Sequence, residues 1–545
     1  MQTYPSPDLR CLPSMHAYVL LLLALSLLPS CQRSPAIAPP VPTHPATAKI
    51  DPPAAPNPAA KSPPIVFAEP PADDLDGGRL IEETWDSVSM RDTRVGFARN
   101  TVASVHENGR DLIRTNSVLH MEINRDGNPT IQEMVLTCWD TPDGELVSFK
   151  TTMSSGSSPL VVVGAVTSGQ LGIDQTTLGR TQSIKIPWQP TWGGFFAQEQ
   201  SLRRQLLRPG EKRTIHCLLP GLNIPGDIHF EALSRESVTL PSGQQTLLKI
   251  KSVMEAGPNK IESLLWANDR GEVMKMIAPT IQQVVVRTTK SDALHPPAGG
   301  SFDLITSHTV KITGPLLPTP KIARAVYRAH LKTGQIAGLF TDCPSQRVKP
   351  IDNQTAELTV LAIRPGSPLD GSQSTSPTNE DSSPSNFIQS DDSVINQMAA
   401  HVAPRETDPW AIACALEKFV AEAVQNKNFS TAFATAAEVA RSLEGDCTEH
   451  AVLYAALCRA RKIPARTAFG LVYYPPEKGF AYHMWNEVWI ADRWIPMDPT
   501  LGLGGIGADH IKLGDSNLAG TAPLADLLSV IQVFGQLELN VIEID

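Results

Sequence analysis

Three residue types that together support thiol-based acyl transfer occur in the last 150 residues of the chain. Cys447 follows a Gly-Asp pair, His483 opens the run His-Met-Trp-Asn-Glu-Val-Trp, and Asp498 ends the run Trp-Ile-Pro-Met-Asp. In such chemistry the thiolate attacks a carbonyl carbon, the imidazole takes and returns the proton, and the carboxylate fixes the imidazole tautomer. Cys447, His483 and Asp498 are therefore the candidate nucleophile, general acid/base and orienting residue.

The candidate nucleophile is predicted at the start of a helix. The run Ala-Val-Leu-Tyr-Ala-Ala-Leu-Cys at 451–458 is apolar nearly all round, which predicts a buried central helix over 448–461. The free backbone N–H groups and the helix dipole favour a thiolate at this end, and the same groups could stabilise an oxyanion. Cys414 and Cys458 lie within apolar helical runs, where an inert buried thiol is expected.

His483 and Asp498 are predicted to meet across a tight hairpin. Side chains alternate along a strand, so a two-residue loop fixes which of them face each other. A loop at 491–492 puts Asp498 opposite Trp485 and diagonal to His483, whereas a loop at 490–491 puts Asp498 directly opposite His483. Either register brings the carboxylate within reach of the imidazole. Pro496 predicts that the second strand is bulged or near a sheet edge.

Helices are predicted before the strands of the hairpin, and this order predicts an α+β domain over 393–545. The predicted helices are 391–401, 409–424 with Asp408 as its cap, 431–443 and 448–461. The predicted strands are 466–474, 483–490 and 494–498. An antiparallel sheet after packed helices is the expected architecture.

The segment over 394–513 resembles the transglutaminase-like superfamily, whose core is papain-like. The motifs that carry the resemblance are Gly-Asp-Cys at 445–447, Ile-Pro-Ala-Arg at 463–466, His-Met-Trp-Asn-Glu-Val at 483–488 and Trp-Ile-Pro-Met-Asp-Pro-Thr at 494–500. The resemblance implies that Cys447 is the nucleophile, His483 the general acid/base and Asp498 the orienting residue. The preceding region is similar to the N-terminal parts of some bacterial exported members of the superfamily.

Other polar and aromatic residues of these motifs are interpreted as structural. Glu449, His450 and Glu487 are expected to support the fold, although His450 lies one helical turn from Cys447. The tryptophans at 485, 489 and 494 are expected in the core or the cleft wall. The sequence has no phosphate-binding glycine loop, zinc-like cluster or calcium loop, so neither cofactor nor metal is predicted.

The N-terminal segment 1–31 is predicted to be an export signal. Arg10 supplies a positive charge, and an apolar stretch over 17–28 is short for a membrane span. The following Leu-Leu-Pro-Ser-Cys resembles a bacterial lipobox, so Cys31 is predicted to carry a lipid anchor, with ordinary signal cleavage as the alternative. The Pro/Ala-rich segment 32–75 is predicted to be an extended disordered linker.

Residues 76–365 are predicted to form a β-rich antiparallel region, followed by a Ser-rich linker over 366–392. Asn108-Gly109 and Asp126-Gly127 separate alternating runs and indicate hairpins. Such a region serves either as a scaffold or as a holder of apolar ligands. A Cys138–Cys217 disulfide is left open, because cysteines are too sparse for a disulfide framework.

These observations predict an exported envelope protein that carries out acyl transfer on amide bonds of a protein or peptide. Water as the acceptor would make it a peptidase or deamidase, and an amine would make it a cross-linking enzyme. The alternative is a catalytically silent peptide-binding or structural module. The net charge of -10 argues against nucleic-acid binding, which requires a basic face.

Overall fold

The structure is a computed structural model that describes most of the chain beyond the N-terminal segment. It describes residue 67 and residues 78–545, except 126–127, 155–157, 258, 296–301, 304–308, 318–321, 368–374, 427–433 and 521–524. The predicted export signal with Cys31, and the linker over 32–75 apart from Phe67, lie outside the described residues. Phe67 is buried and packs against Phe97, with ring centroids 5.8 Å apart.

The first sheet has 14 strands, and every pair of neighbouring strands in it is antiparallel. The strands are β1 (Gly78–Met90), β2 (Thr93–Glu107), β3 (Arg110–Arg125), β4 (Asn128–Asp140), β5 (Leu146–Ser154), β6 (Leu160–Thr167), β7 (Gln170–Thr177), β8 (Arg180–Pro187), β9 (Lys212–Leu218), β10 (Pro225–Leu240), β11 (Gly243–Ala256), β12 (Asn259–Ala267), β13 (Val273–Ala278) and β14 (Gln283–Thr288). Two meanders, β1–β8 and β9–β14, join where β1 pairs with β14. The predicted meander is therefore a single large antiparallel sheet.

Local backbone chemistry explains the β2–β3 turn of this region. Asn108 and Gly109 both have positive φ, 51° and 75°, which is the backbone that a two-residue hairpin loop requires. Helix α1 (Ala197–Arg204) and helix α2 (Lys290–Leu294) accompany the sheet. Cys138 and Cys217 are buried free thiols, so the disulfide left open by the sequence is not formed. Burial raises the pKa of both thiols.

The second sheet has nine strands and draws them from distant parts of the chain. They are β15 (Val310–Thr313), β16 (Arg324–Leu331), β17 (Gln346–Pro350), β18 (Thr355–Leu361), β19 (Ala465–Tyr474), β20 (Gly479–Ile490), β21 (Arg493–Met497), β22 (His510–Ser516) and β23 (Leu537–Ile544). The order is β17-β18-β16-β23-β15-β20-β19-β22, with β21 paired to β20, and only the β15–β23 pair among the described strands is parallel. The sheet therefore takes strands from both sides of the boundary predicted at residue 365.

The described part of the segment expected to be a Ser-rich linker is packed against the fold. Phe387 and Ile388 are buried, at 5% and 0% exposure. Asn386 donates to the carbonyl oxygen of Gln175 on β7 at 3.0 Å, and this contact joins the segment to the first sheet. The burial of these two apolar side chains and the Asn386 hydrogen bond show that the described part of this segment is packed.

The described residues of the C-terminal region form five α-helices. They are α3 (Ser393–His401), α4 (Pro409–Ala423), α5 (Ala436–Ser442), α6 (Cys447–Ala460) and α7 (Leu528–Val533). The predicted cap is present, since the Asp408 carboxylate accepts from the N–H of Ala411 at 2.8 Å. Helix α5 is shorter than predicted and starts after Thr435, and residues 427–433 lie outside the described part. Every residue of α6 except Ala460 is buried.

Helix α6 is the central helix that the sequence predicted. It contacts α3, α4 and α5 on one side and strands β19 and β20 on the other. Asn486 on β20 donates to the carbonyl oxygen of Ala451 on α6 at 3.0 Å, which ties the helix to the sheet. Among the described residues, no helix is long and apolar enough to cross a bilayer.

Candidate active site

Cys447 is the first residue of α6, and the loop before it is fixed by a capping box. The Asp446 carboxylate accepts from the N–H of Thr448 at 2.8 Å. Gly445 has φ of 145°, and a Cβ there would lie 2.2 Å from the Cβ of Glu449, so only glycine fits. The Cys447 side chain is fully buried, and its thiol is not in a disulfide.

The Glu449 carboxyl group holds the Cys447 loop from inside the protein. One oxygen accepts from the N–H of Asp446 and from the Thr448 hydroxyl, both at 2.9 Å. The other accepts from the N–H of Ala434 at 2.8 Å. Burial, together with the neighbouring charge of Asp446, raises the pKa of Glu449 to about 8. These contacts are those of a structural anchor.

His483 and Asp498 are in direct contact, as the hairpin argument predicted. His483 Nε2 lies 2.9 Å from Asp498 Oδ2, and both side chains are fully buried. Strands β20 and β21 pair Ile490 with Arg493, so the loop is 491–492 and the diagonal register is the one adopted. Among the described strands, β21 pairs with β20 alone, which agrees with the edge position that Pro496 predicted.

The Asp498 carboxylate is saturated with hydrogen-bond donors. Its Oδ1 accepts from the N–H of Thr500 at 2.9 Å and of Leu501 at 3.4 Å. Its Oδ2 faces His483 and also His510 Nε2, the latter at 3.1 Å. Burial alone would raise the pKa of Asp498, but the two histidines outweigh it and hold that pKa well below its usual range. Asp498 is therefore an ionised group.

His510 and Asp509 belong to this network and were missed by the sequence analysis. His510 opens strand β22, and its Nδ1 lies 2.8 Å from Asp509 Oδ1. The only signal in the sequence was an isolated Asp-His pair before the run Ile-Lys-Leu. The role of this pair could not be predicted from the sequence. It depends on the pairing of β22 with β19, which brings His510 to the Asp498 side of the sheet.

Two imidazole nitrogens and one carboxylate oxygen, from His483, His510 and Asp498, converge within 4.8 Å of one another. These are donor types that bind zinc, although no metal was predicted from the sequence. The two separations to Asp498 Oδ2 are 2.9 and 3.1 Å, which are hydrogen-bond distances. Ligand atoms in a tetrahedral zinc site lie about 3.3 Å apart. Hydrogen bonding accounts for the arrangement directly.

Glu417 on α4 fixes the loop that follows Asp498, and the sequence analysis missed it as well. Its Oε1 accepts from the N–H of Asp498 at 2.9 Å and of Gly505 at 3.1 Å, while its Oε2 accepts from the N–H of Gly504 at 2.6 Å. Burial raises the pKa of Glu417 to about 8, with Asp498 adding to the effect and the N–H donors opposing it. The only sequence signal for Glu417 was the presence of one glutamate within an apolar helical run.

The second ring nitrogen of His483 is free for chemistry. His483 Nδ1 is buried and has no hydrogen-bond partner among the described residues. Helix α6, which begins at Cys447, packs on strand β20, which carries His483. The structure thus brings His483 and Asp498 together and sets Cys447 at the start of the helix that packs on the strand of His483.

Glu487 and the neighbouring tryptophans occupy structural positions. Glu487 is buried and accepts from Arg466 at 2.7 Å and from Lys512 at 2.6 Å. The Arg466 guanidinium lies 4.1 Å from the centre of the Trp494 ring. The Trp485 ring is 6.2 Å from His483 and 5.5 Å from His510, so it forms a wall of the site.

Residues 396–499 match the family model of the Transglutaminase-like superfamily. This part of the chain is therefore transglutaminase-like, as its motifs indicated. The match contains Cys447, His483 and Asp498. The chain has no match among curated proteins.

Several solved structures share a distant likeness with parts of the chain. A candidate cysteine protease of Cytophaga hutchinsonii is 17% identical over 41% of this chain and 86% of its own, with a TM-score of 0.26. A β-barrel-like protein of a domain of unknown function from Brucella abortus is 7% identical over 38% of this chain and 95% of its own, with a TM-score of 0.29. A candidate exported protein of Bacteroides fragilis with a YmcC-like fold is 12% identical over 41% of this chain and 97% of its own, with a TM-score of 0.18. Likenesses at this level carry no functional conclusion.

Proposed function

We propose that the protein catalyses thiol-dependent acyl transfer on amide bonds of a protein or peptide. Cys447 acts as the nucleophile, His483 as the general acid/base and Asp498 as the orienting carboxylate. The observation that carries the proposal is the 2.9 Å contact of His483 Nε2 with Asp498 Oδ2, which leaves Nδ1 without a partner among the described residues. A carboxylate on one nitrogen fixes the tautomer whose other nitrogen accepts a proton.

Each step of the proposed reaction uses one of these groups. His483 Nδ1 takes the proton of the Cys447 thiol, and the thiolate attacks the amide carbonyl carbon. The N–H groups at the start of α6 stabilise the oxyanion. The His483 imidazolium then protonates the departing nitrogen, so ammonia or an amine leaves and a thioester remains. Water or an amine attacks the thioester and regenerates the thiol.

The acceptor in the last step defines the kind of enzyme. Hydrolysis gives a peptidase or a deamidase, whereas attack by a lysine side chain gives a cross-link. We propose hydrolysis, because water needs no second binding site. No cofactor enters this scheme.

The second candidate is a peptide-binding or structural module without turnover. The specific observation in its favour is burial, since Cys447, His483 and Asp498 are all fully enclosed. A substrate carbonyl reaches them only if the loops around them open. Thiol reactivity separates the two candidates.

The test compares two buried thiols in the full chain. Iodoacetamide labelling near neutral pH, followed by mass spectrometry, should modify Cys447 faster than Cys458, whose pKa burial raises to about 12. His483→Ala should slow Cys447 labelling at least tenfold, and His330→Ala, a half-buried histidine on β16, is the matched control. Equal labelling of the two cysteines, or no effect of His483→Ala, would contradict the enzyme hypothesis.

Turnover is tested separately with hydroxylamine as the acceptor. Glutamine-containing peptides should yield hydroxamate with the wild type and with Cys458→Ser, but not with Cys447→Ser. Omitting hydroxylamine and measuring released ammonia reports hydrolysis. A silent module gives neither product.

We also propose that the chain is exported and anchored through a lipid on Cys31. The apolar segment over 17–28 and the following Leu-Leu-Pro-Ser-Cys support this proposal. A Cys31→Ala variant should leave the membrane fraction and lose incorporation of labelled palmitate. Membrane association that survives this change would count against the anchor.

A further inference from the structure

His510 contacts a carboxylate oxygen at each of its ring nitrogens. Its Nε2 lies 3.1 Å from Asp498 Oδ2, and its Nδ1 lies 2.8 Å from Asp509 Oδ1. A neutral imidazole has one N–H and can donate to only one of the two carboxylates. Its unprotonated nitrogen would then face an oxygen of the second carboxylate, and both atoms are acceptors. The imidazole is more basic than either carboxylate, so the extra proton belongs on the ring. The contacts therefore fit an imidazolium held between two carboxylates.

We infer that His510 is a positioning residue of the proposed reaction, which fixes Asp498 and offsets part of its charge as a permanent imidazolium. The inference rests on the proposed function of Cys447, His483 and Asp498. Burial works against the charged ring, but Asp509 and Asp498 outweigh it and raise the pKa of His510 to about 9. The ring is 1% exposed at its side chain, so solvent does not compete for these bonds.

The balance of charges around Asp498 gives a physical reason for the presence of His510 in the proposed site. Asp498 and Asp509 place two negative charges in contact with His510, and the His510 imidazolium cancels one of them. With two uncompensated carboxylates, the His483 imidazolium would hold its proton too strongly to return it to a departing amine. The His510 ring lies 6.0 Å from the His483 ring, so its positive charge is close to the proposed general acid/base.

The groups that face His510 come from several elements. Asp509 lies immediately before β22, Asp498 follows β21, and His483 lies on β20. The Tyr327 hydroxyl on β16 donates to the carbonyl oxygen of Ala508 at 2.7 Å, close to Asp509. Glu417 on α4 accepts from the N–H of Asp498, and burial raises its pKa to about 8, so it is a further titratable group at this network.

The experiment measures the rate of Cys447 alkylation against pH in the full chain. His510→Gln keeps a side-chain donor but removes the charge, so both limbs of the profile should move upward by about one pH unit. Asp509→Asn removes a negative charge together with the positive charge that it stabilises on His510, so the two changes oppose each other and the shift should be smaller than in His510→Gln. The double variant lacks the same two charges as Asp509→Asn and should therefore match Asp509→Asn rather than His510→Gln. His330→Gln should leave the profile unchanged.

Nitrogen-15 NMR of labelled histidine provides a second measurement, which does not depend on the reactivity of Cys447. The His510 signals, identified by their loss in His510→Gln, should be those of an imidazolium up to about pH 8, and those of a neutral ring in Asp509→Asn. A neutral His510 at neutral pH in the wild type, or an unmoved alkylation profile in a folded His510→Gln variant, overturns the inference. An unreactive Cys447 in the wild type overturns the proposed function instead, while the NMR measurement still reports the state of His510.

Discussion

The Asp498 carboxylate receives four hydrogen-bond contacts in the candidate site. It meets two imidazoles at one oxygen and two backbone N–H groups at the other, and Glu417 holds its own backbone N–H. A carboxylate with four donors stays ionised although it is fully buried. The triad interpretation therefore needs residues outside the triad, because the orientation of Asp498 comes from His510 and the loop after it.

Glu449 makes the stability of the folded chain depend on pH. Its pKa is raised from 4.5 to about 8, so between these pH values the unfolded chain has released a proton that the folded chain retains. The free energy of unfolding then falls as pH rises through this window and levels off above it, by up to about 1.4 kcal/mol per pH unit. Urea unfolding of the wild type and Glu449→Gln from about pH 5 to about pH 8 measures the difference.

The Glu449→Gln variant should show the flatter dependence, and Glu422→Gln, an exposed residue of α4, should keep the wild-type slope. Identical slopes in all three proteins would mean that Glu449 ionises normally in the folded state. The Cys447 loop would then be held by a charged anchor rather than a protonated one.

At the scale of elements, the β20–β21 hairpin decides whether the candidate site exists. Its loop residues Ala491 and Asp492 have φ of 49° and 59°, which is the left-handed backbone of a two-residue turn. The position of this two-residue loop at 491–492 sets Asp498 diagonal to His483, and one residue more or fewer would turn Asp498 to the other face. Neither loop residue is the glycine that such a turn prefers.

Replacing the loop by Asn-Gly, as Ala491→Asn with Asp492→Gly, should stabilise the protein by about 1–2 kcal/mol, because the left-handed backbone costs less there. Urea unfolding measures the gain, and Cys447 labelling should be unchanged since the register is kept. The reverse change at the β2–β3 turn, Asn108→Ala with Gly109→Asp, should destabilise by a similar amount. A loss of Cys447 reactivity in the Asn-Gly variant would contradict the assigned register.

For the whole molecule, the shared nine-stranded sheet defines the folding unit. Strand β23 lies between β15 and β16, so its two partners come from residues far ahead of the family match. The Tyr327 hydroxyl on β16 reaches the backbone at Ala508, next to the His510 network. The candidate site is therefore built on strands that precede the transglutaminase-like segment.

Two fragments test this dependence. The fragment 393–545 lacks β15–β18 and should remain unfolded, whereas 309–545 keeps the complete sheet and should fold. Circular dichroism and resistance to protease report folding, and Cys447 labelling reports the site. A fragment 393–545 that folds and labels like the full chain would show that the first four strands of the sheet are dispensable.

The sequence by itself determined the local features that carry chemistry. The apolar run at 451–458 required a buried helix with Cys447 at its start, and strand alternation with a two-residue loop brought Asp498 to His483. These conclusions hold because helix and strand periods and short turns depend on neighbouring residues. The motifs also pointed to the superfamily that the family model matches.

Only the tertiary structure decided the features that depend on contacts between distant segments. Loop length left two registers open, and packing selected the diagonal one. Strand β22 carries His510 to Asp498, helix α4 carries Glu417 to the same loop, and residues 310–361 supply four strands to the second sheet. The reason is physical: strand order and helix packing follow from burying apolar faces together, and a single side chain's neighbours across that core are not written in its local sequence.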